Sequence, residues 1–334
     1  MRVTKVAVVG AGTMGAAIAE LLAFNDLPVL LTDVDESRVR AGVERVGSIV
    51  DDLVRFQAGR AREEIARMEA IGLKLSEGQR ETVERRFAPK VTRARGDEIV
   101  RRVQGTMRWS DFHDVDLAIE AVFEREAVKR PVLTALDAAL PDHAVIASNT
   151  SSLSITRLAA GLRHAPATLA LHFFNPPSTL PLVEVAGGVE TREDILVEAI
   201  DFLQGLRNHR APLVPIRVKE SPGFVVNRIL LPVLNEACFA LQESLAPARD
   251  IDLAMKAGAG LPMGPFELAD LIGLDVALEV SETLLRDTGD PKYRPAVVLR
   301  RLVDAGHLGR KTGRGFYEYP TAAPGAAPGT DATG

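Results

Sequence analysis

One cysteine, Cys238, in 334 residues leaves no intramolecular disulfide and no cysteine-rich metal site. It lies in a helical-looking stretch, and the composition points to a reducing compartment. A basic surplus is also missing. Forty Lys and Arg stand against 45 Asp and Glu, for a formal net charge of -5. No global positive field therefore exists to hold phosphate backbones, and nucleic acid is not expected as a partner. No apolar run reaches the roughly 18 residues that a membrane span needs. Residues Met1 to Gly10 run into a short apolar strand and a glycine turn without the apolar core of a signal peptide. The expectation is a soluble, cytoplasmic protein with no membrane partner.

What is present is enough apolar residue, 46% of the chain, to bury a sizeable core, and the length suits two domains. Val6 to Val9 reads as a buried strand, Ala16 to Phe24 as a small-residue helix and Pro28 to Thr32 as a second strand. Further short apolar runs at Leu117 to Val122, Val145 to Ala147 and Leu169 to Phe174 are mostly separated by helical patterns. Such alternation predicts an α/β fold, a parallel sheet with helices on its faces. Between Asp51 and Arg102 the sequence becomes charged and helix-favouring, predicting a pair of long helices that project from the sheet. From Arg55 to Arg102 there are 13 Lys and Arg against 8 Asp and Glu. This basic hairpin fits a solvated surface, an anion-binding face or a surface for an acidic partner. After Lys219 strand signals fade, and helical spacing recurs at Phe224 to Glu243, Gly273 to Arg286 and Pro295 to Ala305. The expected organisation is a Rossmann-like dinucleotide-binding domain over 1-218, an all-helical domain over 219-319, and a disordered Pro/Gly/Ala tail over 320-334.

Gly10-Ala-Gly12-Thr-Met-Gly15 follows the first strand and opens the first helix, the context in which glycines carry a phosphate-binding meaning. Gly10 permits the tight turn, Gly12 lets a pyrophosphate approach the backbone, and Gly15 lets helix and strand pack closely. Asp33 ends the second strand about 20 residues further on, where a carboxylate accepts from the ribose hydroxyls and repels a 2'-phosphate. The pattern favours NAD over NADP, with Arg38 as the residue that could reverse the preference.

Polar clusters stand at the ends of later strands: Ser148-Asn-Thr-Ser-Ser152 and His172-Phe-Phe-Asn175-Pro. His172 is one of only six histidines, and Glu184 follows it twelve residues later. That spacing fits a proton-handling pair, and it fits equally a structural histidine hydrogen-bonded at a strand end. Ser151, Asn175 and Asn227 have ordinary readings too, as a turn former, a cap before Pro176 and a polar group at a helix start.

Eight motifs in order decide the matter. Gly10-Ala-Gly-Thr-Met-Gly15, Ile119-Glu-Ala-Val-Phe-Glu124, Ser148-Asn-Thr-Ser-Ser152, His172-Phe-Phe-Asn-Pro176, Pro181-Leu-Val-Glu-Val185, Ser221-Pro-Gly-Phe-Val-Val-Asn-Arg228, Pro262-Met-Gly-Pro-Phe-Glu267 and Leu308-Gly-Arg-Lys-Thr-Gly-Arg-Gly-Phe-Tyr317 cover nearly the whole chain. Together they resemble the NAD-dependent L-3-hydroxyacyl-CoA dehydrogenases, the short-chain 3-hydroxybutyryl-CoA enzymes in particular. The resemblance implies that His172 is the general base and Glu184 its partner, with Ser151, Asn175 and Asn227 completing the substrate pocket. Imidazole, with an ordinary pKa of about 6.5, suits removal of a hydroxyl proton as hydride leaves for the nicotinamide. The resemblance further implies cofactor contacts from Met14, Ala121, Glu124, Lys129, Asn149, Ser151, Asn175 and Lys311, an acyl-CoA substrate, and a homodimer formed through the helical domain. By sequence alone, Glu124 and Lys129 read as a solvated helix start. Two other readings stay open: a dehydrogenase of a free hydroxy acid or a carrier-tethered acyl group, and a non-catalytic NAD-binding protein.

Overall fold

The computed structural model describes residues 2-320; the expected disordered tail lies, but for Pro320, outside the described residues. The chain divides into two compact units, one ending at Glu220 and the other starting at Ser221.

The first unit contains β1 (Val6–Val9), α1 (Thr13–Phe24), β2 (Val29–Thr32), α2 (Glu36–Ala70), α3 (Glu77–Arg86), α4 (Arg93–Arg102), β3 (Val103–Gly105), β4 (Leu117–Glu120), α5 (Glu126–Ala139), β5 (Val145–Ser148), α6 (Ile155–Ala159), β6 (Thr168–Phe173), β7 (Leu182–Gly187), α7 (Glu193–Gln204) and β8 (Val214–Arg217). The eight strands form one sheet in the order β3-β2-β1-β4-β5-β6-β7-β8. Chain order reverses between β1 and β4, so their carboxyl ends frame the crevice where open α/β sheets bind ligands. Strands β1, β4, β5 and β6 are buried along their length because covered parallel strands can be apolar on both faces.

One pairing departs from the expected parallel sheet. β7 runs antiparallel to β6. A parallel return requires a crossover of a dozen or more residues, and the chain from Asn175 to Pro181 is too short to supply one. The antiparallel register sets His172 directly opposite Glu184.

The charged segment also differs from two projecting helices that start near residue 51. A single 35-residue helix, α2, begins at Glu36, where the Asp35 side chain accepts from the Arg38 N–H. Its first half buries Val39 beside β3 and Val46, Val50 and Leu53 in the core of the first unit, while past that point only Ile65 is buried. The returning α3 has no buried residue, so the helical return is short. Many of its charges pair locally, as in Arg80 with Glu69 and Arg93 with Asp51.

The second unit comprises α8 (Val226–Gln242), α9 (Ala248–Ala259), α10 (Pro265–Ile272), α11 (Leu274–Thr288) and α12 (Val297–Asp304). Its core gathers Leu231, Leu234, Phe266, Leu274, Leu284 and Leu299. Cys238 is buried in α8, and burial pushes its thiol up to about 12.

Candidate active site and cofactor crevice

The glycine turn is built by contacts that admit no side chain. Gly10 has φ +107°, and a Cβ there would stand 2.6 Å from the Ala121 carbonyl oxygen. A Cβ at Gly15 would lie 1.6 Å from the Gly10 oxygen, so α1 starts against the turn only because that position is glycine. Gly12 differs: a Cβ there would meet nothing within 4 Å. Its missing side chain leaves open space above the helix N-terminus, which is the cradle a pyrophosphate requires. Asp33 is fixed beside the turn, accepting from the Ala11 N–H and the Val34 N–H, both at 2.7 Å. Arg38 pairs with Asp35 at 3.3 Å, which gives it a local anion. Met14 and Ala121, half-buried, pack against the sheet core on either side of the switch point, and the Ala121 N–H donates to the Val9 carbonyl at 2.7 Å. These residues fit an NAD molecule laid across the ends of β1 and β4.

Glu124 and Lys129 are not the solvated helix start that local sequence suggests. Lys129 is buried, and its Nζ donates to Glu120 Oε1 at 2.8 Å and the Val122 carbonyl at 3.2 Å, and pairs with Glu124 Oε2 at 3.2 Å. Glu124 Oε1 accepts from the Thr150 hydroxyl at 2.6 Å, from the Ser151 N–H at 2.8 Å and from the Ser152 N–H at 3.0 Å, with both serine hydroxyls also within reach. Burial opposes its charge, but Lys129 and the hydrogen bonds from Thr150 and Ser151 outweigh burial and hold the carboxyl below its ordinary value. The loop after β5, with Ser151 in it, is thus moulded around one carboxylate. Asn149 leads into that loop and accepts from the Phe173 N–H at 2.9 Å through its side chain. This bond ties the loop to the residue after His172.

His172 Nδ1 lies 2.7 Å from Glu184 Oε2, with the glutamate fully buried and the histidine nearly so. The Phe174 ring stands 4.5 Å from the imidazole, centroid to centroid. A carboxylate at Nδ1 fixes the tautomer and stabilises the ring when it is protonated. Asn175 is exposed and precedes a cis bond to Pro176. His172, Glu184, Ser151, Asn149, Glu124, Lys129 and the glycine turn thus belong to one unit. Asn227 and Lys311 belong to the other: Asn227 is half-buried in the first turn of α8, and Lys311 Nζ pairs with both Asp275 carboxylate oxygens at 2.6 Å.

Sequence reasoning missed two groups. Glu120, inside the fully buried strand β4, accepts from the Ser148 hydroxyl at 2.5 Å, the Val122 N–H and Lys129. A carboxylate in an apolar strand needs a partner, and that was the available signal. Arg45 on α2 donates to the Ala11 carbonyl of the glycine turn at 3.0 Å, and nothing in its local sequence marks it.

Comparison with known proteins agrees with this geometry. The model of the 3-hydroxyacyl-CoA dehydrogenase NAD binding domain matches residues 5–76 and 67–220, and that of the 3-hydroxyacyl-CoA dehydrogenase C-terminal domain matches 223–319. The chain is 37% identical over 323 residues to a 3-hydroxybutyryl-CoA dehydrogenase of Bradyrhizobium diazoefficiens, covering 96% of this chain and 97% of that protein. It is 35% identical over 323 residues to the human mitochondrial hydroxyacyl-coenzyme A dehydrogenase, covering 95% and 91%. The crystal structure of an (S)-3-hydroxybutyryl-CoA dehydrogenase from Ralstonia eutropha superposes with a TM-score of 0.80 at 38% identity, over 96% of this chain and all of that one. With both domain models matched in order along one chain, the protein belongs to the 3-hydroxyacyl-CoA dehydrogenase family.

Proposed function

We propose that the protein oxidises a short-chain L-3-hydroxyacyl-CoA, such as 3-hydroxybutyryl-CoA, reversibly to the 3-oxoacyl-CoA with NAD. The observation that carries this reading is the buried 2.7 Å contact of His172 Nδ1 with Glu184, on the same sheet as a glycine turn shaped for a dinucleotide. Bound NAD supplies the hydride acceptor. His172 removes the hydroxyl proton through Nε2, since Glu184 engages Nδ1, and the Glu184 charge offsets that of the resulting imidazolium. Ser151 and Asn175 contact the substrate in this reading, which also includes the roles that the family resemblance implies for Asn227, toward substrate, and for Lys311, toward cofactor. In the reductive direction His172 returns the proton.

The reading includes a homodimer through the helical unit, supported by exposed apolar side chains on three of its helices, Ile229, Leu253 and Leu271. A cytoplasmic location rests on the single, buried cysteine. No helix among the described residues is long and apolar enough to cross a membrane. The basic surplus over Arg55 to Arg102, 13 Lys and Arg against 8 Asp and Glu, favours, as a second reading, an acyl group carried on an acidic carrier protein rather than on CoA.

Initial rates with 3-oxoacyl-CoA thioesters, the free acids and a carrier-bound acyl group, each against NADH and NADPH, test the assignment. Acetoacetyl-CoA with NADH is expected to be the preferred pair. Preference for the free acid would defeat the reading, and preference for the carrier-bound group would favour the second one. His172→Ala is expected to lower turnover by roughly 10²-fold or more while NADH binding persists.

A further inference from the structure

A second histidine–glutamate pair, its carboxylate buried and its imidazole half-buried, stands outside the residues described so far. Glu20, on the last half of α1, is fully buried, and its Oε1 lies 2.9 Å from His209 Nε2. Its Oε2 is buried with no hydrogen-bond partner. A buried carboxylate with one orphan oxygen costs stability, so a structural explanation through this group alone is incomplete. The His209 ring also leans on Phe24 of α1, with centroids 5.1 Å apart. Next to it, Asn25 grips Arg207 through two bonds, accepting from its N–H at 3.0 Å and donating to its carbonyl at 2.8 Å. The 207-211 loop is therefore clamped to the helix that begins at the glycine turn.

The same loop holds the turn between His172 and Glu184. The His209 N–H donates to the Ser178 carbonyl at 3.0 Å, and Asn208 Nδ2 donates to the Pro177 carbonyl at 3.3 Å. Asn208 Oδ1 is occupied by the N–H groups of Arg210 and Ala211, both at 2.9 Å, which fixes its amide for that contact. A continuous set of contacts thus joins the cofactor helix α1 to the turn that separates base from carboxylate and bears Asn175.

We propose that Glu20 and His209 are positioning residues for catalysis: their contact seats the 175-181 turn, and with it Asn175 and the His172–Glu184 pair, relative to the cofactor helix. The proposal rests on the dehydrogenase reading above. It acts through geometry, where a displacement of about 1 Å can cost up to roughly 10²-fold in rate.

The test uses the full-length enzyme with acetoacetyl-CoA and NADH, with active sites counted by NADH fluorescence titration. His209→Phe keeps the ring against Phe24 and loses the contact with Glu20. It is expected to lower kcat per titrated site about tenfold, with KM for NADH within about twofold of wild type. Glu20→Gln keeps an acceptor for His209 and is expected to retain kcat within about twofold. Asn208→Asp keeps both acceptor contacts and replaces the donor to Pro177 with a carboxylate oxygen that repels that carbonyl, so it carries the same expected loss if His209→Phe does not fold. A wild-type enzyme inactive on every thioester would sink the dehydrogenase reading itself. With wild type active, unchanged kcat per titrated site in His209→Phe, or in Asn208→Asp where the former does not fold, overturns the positioning role, even if the melting temperature falls.

Discussion

Glu184 and Lys129 show how differently two charged side chains can be read from their neighbours in sequence. Glu184 follows a strand pattern that suggests packing, yet it faces His172 across an antiparallel pair. Glu184→Gln is expected to reduce kcat by roughly 10²-fold or more with little change in NADH affinity, because the amide neither fixes the productive tautomer nor offsets the imidazolium charge. Steady-state rates beside NADH titration measure this, and an unchanged kcat would remove Glu184 from the mechanism. Lys129 sits in a charged stretch, Arg125-Glu-Ala-Val-Lys129-Arg, that reads as solvent-facing, but the tertiary fold turns it inward between Glu120 and Glu124. Removing it strands Glu120 and leaves Glu124 without its cation. Lys129→Met is therefore expected to cost about 3–5 kcal/mol in urea unfolding, and a loss below about 1 kcal/mol would contradict the buried-pair account. Glu124 has a folded pKa below its ordinary value, so its stabilising contribution is present above the ordinary glutamate range, about pH 4, and is lost as pH falls through the folded value. The acid limb of wild-type stability is expected to reflect this.

At the scale of elements, regular structure was readable where short-range rules govern it. The strand, glycine turn and helix over Val6 to Phe24 have local causes: an apolar run, then positions where only glycine fits. Gly15→Ala is expected to push α1 away from the turn, weakening NADH binding by at least about tenfold and lowering the melting temperature, because the added methyl would coincide with the Gly10 carbonyl. Wild-type NADH affinity in that variant would refute the cradle. Elements held by distant contacts were harder to see. β3 and β8 are short edge strands of three and four residues, the first with one apolar side chain and the second interrupted by Pro215, and pairing with β2 and β7 makes them strands. The start of α2 at Glu36 rather than near residue 51 likewise follows from burial of Val39 beside β3 and of Val46 in the core of the first unit. A charged composition alone does not register that face.

At the scale of the molecule, each unit is closed by buried carboxylates. In the helical unit Asp270 accepts from the Phe316 and Tyr317 N–H groups and the Tyr319 hydroxyl, each at 2.9 Å, and so ties the C-terminal described segment to α10. Asp270→Ala is expected to reduce stability by about 3 kcal/mol and to lower hydrogen-exchange protection over residues 308-319. Undiminished protection there would show the tie to be dispensable. Burial and the hydrogen bonds to Asp252 and Asp270 raise the hydroxyl pKa values of Tyr317 and Tyr319. Their contribution is complete below the ordinary tyrosine value of about 10 and is lost as pH rises through the folded values. Sequence was sufficient for the fold class and the dinucleotide turn, because periodicity, glycine sterics and ordered motifs are properties of neighbours along the chain. The ordered motifs already named Glu184 as the partner of His172, but the 2.7 Å contact between them, the inward turn of Lys129 and the clamp around Glu20 and His209 came from strand register and packing. Those contacts join residues up to 189 positions apart, and no local rule reaches that far.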